Sequence, residues 1–521
     1  MKNRPMWFTI GTALFLVTAA TLPAQTPQLG VIQFPTSATG KAQEQFITGV
    51  LYLHSFEYPL AAAAFQRAER IQPDFVMAYW GEAMTYTHPV WNQQDVAAAR
   101  AALARLGPTS AARAARARTP RERAYLGAVE VLYGEGSKPA RDTAYSRSMQ
   151  QLASAYPTDA DAQAFYALSL LGLSQGAREV PTYMRAGAIA ESLFDAHPKH
   201  PGAAHYVIHA FDDPIHAPLG LRAARAYSSI APDAAHAQHM TSHIFLALGM
   251  WDETVHANEV ATVATRDTTT KWPRWSCGHY GEWLQYAYLQ QGRPAAASQL
   301  LEECRQQAVA RPVPRMQNSL AVMRAQQLVD GDWNGPAAHM DIDINKQPAG
   351  AQLFLNFGTA YAALKRGDTA AARTVIATLS KNAAAPTGDA DSYDQICALE
   401  LQALLALKTG HAEQSLSTLR HAVAIEDSLP VDFGPPLDIK PPRELLAEVL
   451  LQLGHAADAQ AELEHQLTRT PRRAATLVAL AQAATAAGKT AVAEAANADL
   501  ARVWHSAEPG IATNLRTRKQ P

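Results

Sequence analysis

One short pattern recurs along this chain, and it limits the fold more than any other feature. Its clearest copy is FITGVLYLHSFEYPLAAAAFQRAERIQPD, residues 46–74. The small residues Gly49 and Ala61 let two antiparallel helices approach closely, Phe65 fills the gap to the next pair, and Pro73 ends the second helix. Weaker copies follow at 166–176, 246–261, 289–308, 364–379, 407–423, 451–467 and 485–496. The copy at 289–308 matches through Gly292, Ala297 and Leu301, and that at 364–379 through Gly367 and Ala372. Alanine is abundant and runs of Val, Ile and Thr are scarce, which favours helix throughout. Stacked helix pairs of this kind bury a continuous core only as an array.

Gly49, Tyr52, Ala61, Phe65, Ala68 and Pro73 fall at offsets that resemble the tetratricopeptide-repeat family, closely in the first copy and more loosely afterwards. The resemblance covers most of the chain. It implies an all-α fold, an α-solenoid of antiparallel helix pairs with a concave groove lined by the first helix of each pair. It is similar in kind to exported bacterial repeat proteins, which speaks to location and not to a reaction.

The expected organisation is a signal peptide over 1–24, a linker over 25–40, an N-terminal array over 41–345, a C-terminal array over 346–505 and a basic tail over 506–521. Lys2 and Arg4, an apolar run to about Ala20, and small residues through Ala24 fit a secretory signal with its cleavage site. The run is short for a membrane span. The boundary near 345 rests on the proline-rich break KQPAG, residues 346–350. A longer break, SLPVDFGPPLDIKPPREL at 428–445, either folds onto the groove or joins two sub-arrays. Of the three cysteines, Cys277 and Cys304 flank one helical hairpin and could be oxidised together in an exported chain; the alternative is three buried thiols.

Two histidine pairs carry the chemistry. HYVIH places His205 and His209 one helical turn apart, and HMTSH repeats the spacing with His239 and His243, 34 residues later. Residues four apart share a helix face. An interval of one repeat sets the pairs at equivalent positions on neighbouring first helices, with axes roughly 8–10 Å apart. His236 extends the second face backwards by a turn. Aligning Gly292 with Gly249 brings His279 and Glu282 onto the same face of the next helix, with Tyr286 in the place of His243. The resemblance implies that these positions line the groove. Six of the 18 histidines fall between 205 and 243, several times an even spread.

His205, His209, His236, His239, His243, His279 and Glu282 are therefore candidate ligands of a transition metal. Cu, Zn, Fe and Ni all suit imidazole donors. Asp212, Asp213 and His216, in FDDPIHAP, are candidate outer partners that orient the imidazoles, set against ordinary turn chemistry before a proline. Lesser candidates are His54, Glu57 and His88 near the ends of early first helices, with Trp80 and Trp91 as an aromatic wall or as core. KWPRWSCGHYGEW, residues 271–283, is either a lid or platform or a packed loop.

The formal net charge of −2 with no basic stripe leaves nucleic-acid binding unsupported. The sequence has no H-E-x-x-H, G-x-S-x-G or P-loop, so familiar hydrolase and nucleotide chemistry lacks its motifs. Three readings stay open: a groove that binds a protein or peptide and holds a metal, a metal-dependent hydrolytic or oxidative enzyme on the same site, and a scaffold without metal. The expected location is periplasmic or secreted, with no membrane contact after signal cleavage.

Overall fold

The computed structural model describes residues 27–175, 178–265, 269–382, 389–431 and 433–511. The expected signal segment 1–24 and residues 512–521 of the expected tail lie outside these described residues. Among the described residues, 24 α-helices follow one another, and one small hairpin pairs Thr87–His88 with Gln93–Gln94. No described helix is long and apolar enough to cross a membrane.

Each helix packs chiefly on its neighbours in sequence: Gly40–His54 on Tyr58–Ile71, Ala235–Ala247 on Trp251–Ala264, Asp389–Lys408 on Ala412–Ser428. This is a tetratricopeptide-type α-solenoid, and the residues that suggested it do the packing. A Cβ on Gly49 would lie 2.6 Å from the Phe65 ring, so only glycine allows that helix to approach. Phe65 is fully buried and also lies against Gly81 of the next helix, Val76–Met84. Six hairpin turns carry Gly249, Gly292, Gly367, Gly410, Gly454 and Gly488, with φ between +64° and +87°. In that region a side chain clashes with its own backbone, so glycine reverses the chain without strain.

The segment before the first helix, expected as a linker, is packed. Leu29 and Phe34 are buried, Phe34 meets Phe46 and Tyr125 at ring separations of 5.0 Å, and the Val31 N–H donates to the Lys199 carbonyl at 2.9 Å. The core is divided at a different place from the proline break near 345. One apolar cluster runs from Leu29 to Ala247, and a second from Leu246 to Val503. The break at 346–350 leaves stacking intact, because helix Ala349–Arg366 packs on helix Pro314–Gln326. The seam falls instead on helix Ala235–Ala247, where buried His236, Gln238, His239, Thr241, Ser242 and His243 replace apolar side chains.

Of the two outcomes left open for 428–445, the described residues fold onto the groove. Phe433 lies 5.3 Å, centroid to centroid, from His243, and Gly434, at φ +91°, sits against the Trp283 ring. The C-terminal repeats curl back to the middle of the array. The Trp251 and Trp504 indole N–H groups donate to the Arg472 and Gln290 carbonyls, each at 3.0 Å. Buried Arg473 donates to Asp330 at 2.8 Å, to Glu444 at 3.0 Å and to the Tyr286 hydroxyl at 3.1 Å. Tyr286, the counterpart of His243 in the repeat, thus serves this ionic clamp. A disulfide joins Cys277 to Cys304, and Cys397 is a buried free thiol.

Candidate metal centre

Three consecutive first helices build the site: Pro201–Ala210, Ala235–Ala247 and His279–Gln290. Each has a defined start. His200 caps the first, its Nδ1 accepting the Ala203 N–H at 3.2 Å, with Pro201 at the first helical position. Glu57 caps the second, its carboxylate accepting the His236 N–H at 3.0 Å; a negative group there also complements the helix dipole. Gly278 precedes the third.

The six histidines sort into two sets of three, and each set crosses between helices. His205 and His209 join His236 of the next helix; His239 and His243 join His279 of the one after. Within each set one nitrogen per ring lies within 4.8 Å of the others. Five of the rings are buried and His279 is half-buried. The sets adjoin: the ring centroids of His209 and His243 are 6.0 Å apart, and those of His236 and His239 6.1 Å.

Hydrogen bonds fix which nitrogen faces inward. His205 Nδ1–H donates to the His54 carbonyl at 2.6 Å. His239 Nδ1–H donates to Asn258 Oδ1 at 2.7 Å, and that amide is oriented because its nitrogen donates to the Thr254 carbonyl at 2.9 Å. His243 Nδ1–H donates to Asp212 Oδ2 at 2.5 Å. A neutral imidazole protonated at Nδ1 carries its lone pair on Nε2. Nε2 of His205, His209 and His236 has no hydrogen-bond partner among the described residues. The Nε2 atoms of His239 and His243 stand 3.0 Å apart. Two lone pairs at that distance repel unless a cation or a shared proton lies between them.

Burial makes protonation of these rings costly. It holds His209, His236 and His239 well below the usual imidazole range, and takes His205 and His279 down to about 3. Neutral, oriented and unpartnered imidazole is the form that binds a metal.

Asp212 is buried and orients His243. Asp213 accepts the N–H groups of Ile215 and His216, each at 2.9 Å, and pairs with the His216 ring and Arg178, so this carboxylate and His216 serve the turn. Glu282 lies outside both sets; its half-buried carboxyl bonds Ser319, and burial raises its pKa. His54 belongs to a third buried group with Asp161 and His200. Its Nε2 meets Asp161 at 2.9 Å and its Nδ1 the Tyr206 hydroxyl at 2.9 Å, so its contribution to the first set is its carbonyl. His88 stacks on Tyr58 at 3.9 Å. Trp80 is core, while Trp91 is partly exposed 5.9 Å from His236. The 271–283 stretch is tied down by Arg274 on Glu303 and the Trp275 N–H on the Thr262 carbonyl. From it Trp283 packs on His243 at 4.3 Å, and Tyr280 bonds His236 Nδ1 at 3.2 Å.

Asn258, Phe56 and Phe433 also reach the site, though no sequence motif marks them. Asn258 lies on a second helix, and its one signal is its distance of 19 residues from His239. Phe56, 4.3 Å from His205, has φ +54° in the turn between the first two helices. A bulky residue held there stores strain that its surroundings must offset.

No family model matches the chain, and no curated protein matches it. Among solved structures, the human IFIT1 dimer with m7Gppp-AAAA is 12% identical over 90% of this chain and 91% of that one, with a TM-score of 0.36. Yeast Tom70 is 12% identical over 92% of this chain and 91% of that one, with a TM-score of 0.28. The TPR domain of P58(IPK) is 12% identical over 87% of this chain and 99% of that one, with a TM-score of 0.22. Likeness at this level carries no argument about ligand or partner; the helical-repeat architecture rests on the packing described above.

Proposed function

We propose that this chain is an exported helical-repeat protein that binds transition-metal ions at the two three-histidine sets and offers its repeat surfaces to a protein or peptide. One observation carries the reading. His239 and His243 are each held by a buried acceptor at Nδ1 and meet at 3.0 Å through Nε2, beside three buried Nε2 atoms without partners. Unpaired buried polar atoms are destabilising, and so many converging at one seam call for a shared electrophile. The donor set suits Cu, Zn, Fe or Ni. Export is supported by the N-terminal charge and apolar pattern, and by the Cys277–Cys304 disulfide, since such bonds persist in oxidising compartments.

The test is the metal content of the mature chain, purified without chelator and without a histidine tag. A stoichiometric transition metal is expected, and it is expected to be lost in the His209→Ala/His243→Ala variant while helix content is unchanged. No metal in the purified chain, and none taken up from added Cu, Zn, Fe or Ni, would overturn the reading. The chain would then be an interaction scaffold.

A further inference from the structure

Resting on the metal reading, we infer that the two sets form one copper pair whose ligand is dioxygen. The first ground is adjacency. The sets share the second helix, and rings from one face rings from the other at 6.0 and 6.1 Å. Ions held by Nε2 atoms on those facing rings are neighbours, as in two-metal sites.

The second ground is charge. Six imidazoles supply every donor in the two sets. The carboxylate in direct contact with them is Asp212, through His243 Nδ1; Asp213 is paired with Arg178, and Glu57 is engaged at the second helix's N-terminus. Two divalent ions would bring four charges into this seam against one carboxylate. Two Cu(I) ions bring two. Burying uncompensated charge is costly, so the site favours the monovalent pair. Three imidazoles suffice for Cu(I), whereas Zn²⁺ completes a tetrahedron with a further ligand.

The third ground is the wall. Phe56, Trp91, Trp283, Tyr280 and Phe433 surround the imidazoles. Apart from the Tyr280 hydroxyl and the Trp N–H groups they offer no polar atom. That largely apolar lining, with Trp91 exposed at its edge, suits a small apolar diatomic better than an ester, peptide or phosphate. The half-buried edge at His279 and Tyr280 leads to solvent. The step balances without any protein group: each Cu(I) gives one electron, one O₂ accepts both and becomes O₂²⁻, and the copper ions become Cu(II). No proton moves and no covalent bond to the protein forms. Return to Cu(I) takes two electrons from an added reductant such as ascorbate, and the peroxide takes two protons from solvent and leaves as H₂O₂.

The full mature chain, stripped of metal and then loaded anaerobically with Cu(I), tests this. Two coppers per chain are expected, with one O₂ consumed per chain on admitting air. The oxidised protein should give almost no Cu(II) electron paramagnetic resonance signal, because paired spins cancel. His243→Ala should retain one copper, take up no O₂ as a pair, and regain the signal on oxidation; His279→Ala, at the half-buried edge, should do the same if the first variant folds poorly. Two coppers that oxidise to full-intensity, independent signals would overturn the pair and leave the metal reading standing. No copper bound would overturn the pair; the metal reading falls with it only if Zn, Fe and Ni are not taken up either.

Discussion

Asp212 offers a test of how the imidazoles are oriented. Its Oδ2 accepts the His243 Nδ1–H at 2.5 Å in a buried setting, so it fixes the tautomer and raises the basicity of Nε2. Asp212→Asn keeps an acceptor oxygen and the side chain's shape but removes the charge. Outer partners of metal-bound histidines are worth about 10–100-fold in affinity, or about 1.4–2.7 kcal/mol. Asp213→Asn is the matched control, because that carboxylate is bound to Arg178 and the following turn. Competition titrations against a chromophoric chelator should place Asp212→Asn at least tenfold weaker than the natural chain, and Asp213→Asn within about twofold, since a neighbour that touches no ligand should add nothing. Asp212→Leu should be weaker again, because Nδ1–H is then buried without an acceptor. Equal affinities for the two Asn variants would refute the orienting role, and with it the assignment of Nε2 as the inward nitrogen.

Three further outcomes follow from the packing. Arg473→Met leaves Asp330 and Glu444 buried without their shared cation, and should cost about 3–5 kcal/mol in denaturant unfolding. Burial, and then the charge of Glu426, pushes the Asp438 carboxyl up to about 8. Its folded pKa exceeds the unfolded value of about 3.9, so the native state binds the extra proton, and its contribution is lost as pH rises from about 4 to about 8. Relative to Asp438→Asn, the natural chain should lose up to about 1.4 kcal/mol of stability per pH unit across that window; parallel pH profiles would contradict the shift. Reducing the Cys277–Cys304 bond, which closes a sequence separation of 27, should cost about 3.5 kcal/mol by chain entropy, and a non-reducing peptide map should find the two joined.

Much of the fold was legible because its signal is local and repeated. Gly49, Phe65 and the turn glycines sit where close approach and reversed φ demand them, and any one copy exposes the pattern. The histidine ladder was legible for the same reason, since 34 residues is one structural period. Membership of the two sets was less so. The pairs were read as belonging to single helices, whereas each set borrows its third ring from the next helix. That exchange depends on how far each hairpin is displaced along its neighbour, which spacing alone does not give. Asn258 and Phe433 were hidden for different reasons: one is an ordinary residue on a second helix, and the other arrives 190 residues after His243, through the curl of the whole solenoid. The boundary expected near 345 followed conspicuous prolines, whereas the two apolar clusters part at a polar seam that no such signal marks. KQPAG bends the chain at the surface, while the imidazoles of His236, His239 and His243 interrupt apolar contact inside it.

The most direct measurement is X-ray absorption at the edge of whichever metal the mature chain retains. About three nitrogen ligands per ion are expected at about 2.0–2.1 Å, with the outer-shell scattering of imidazole rings. A shell of oxygen or sulfur without imidazole scattering would contradict this, because the ion would then lie elsewhere than between the buried histidines.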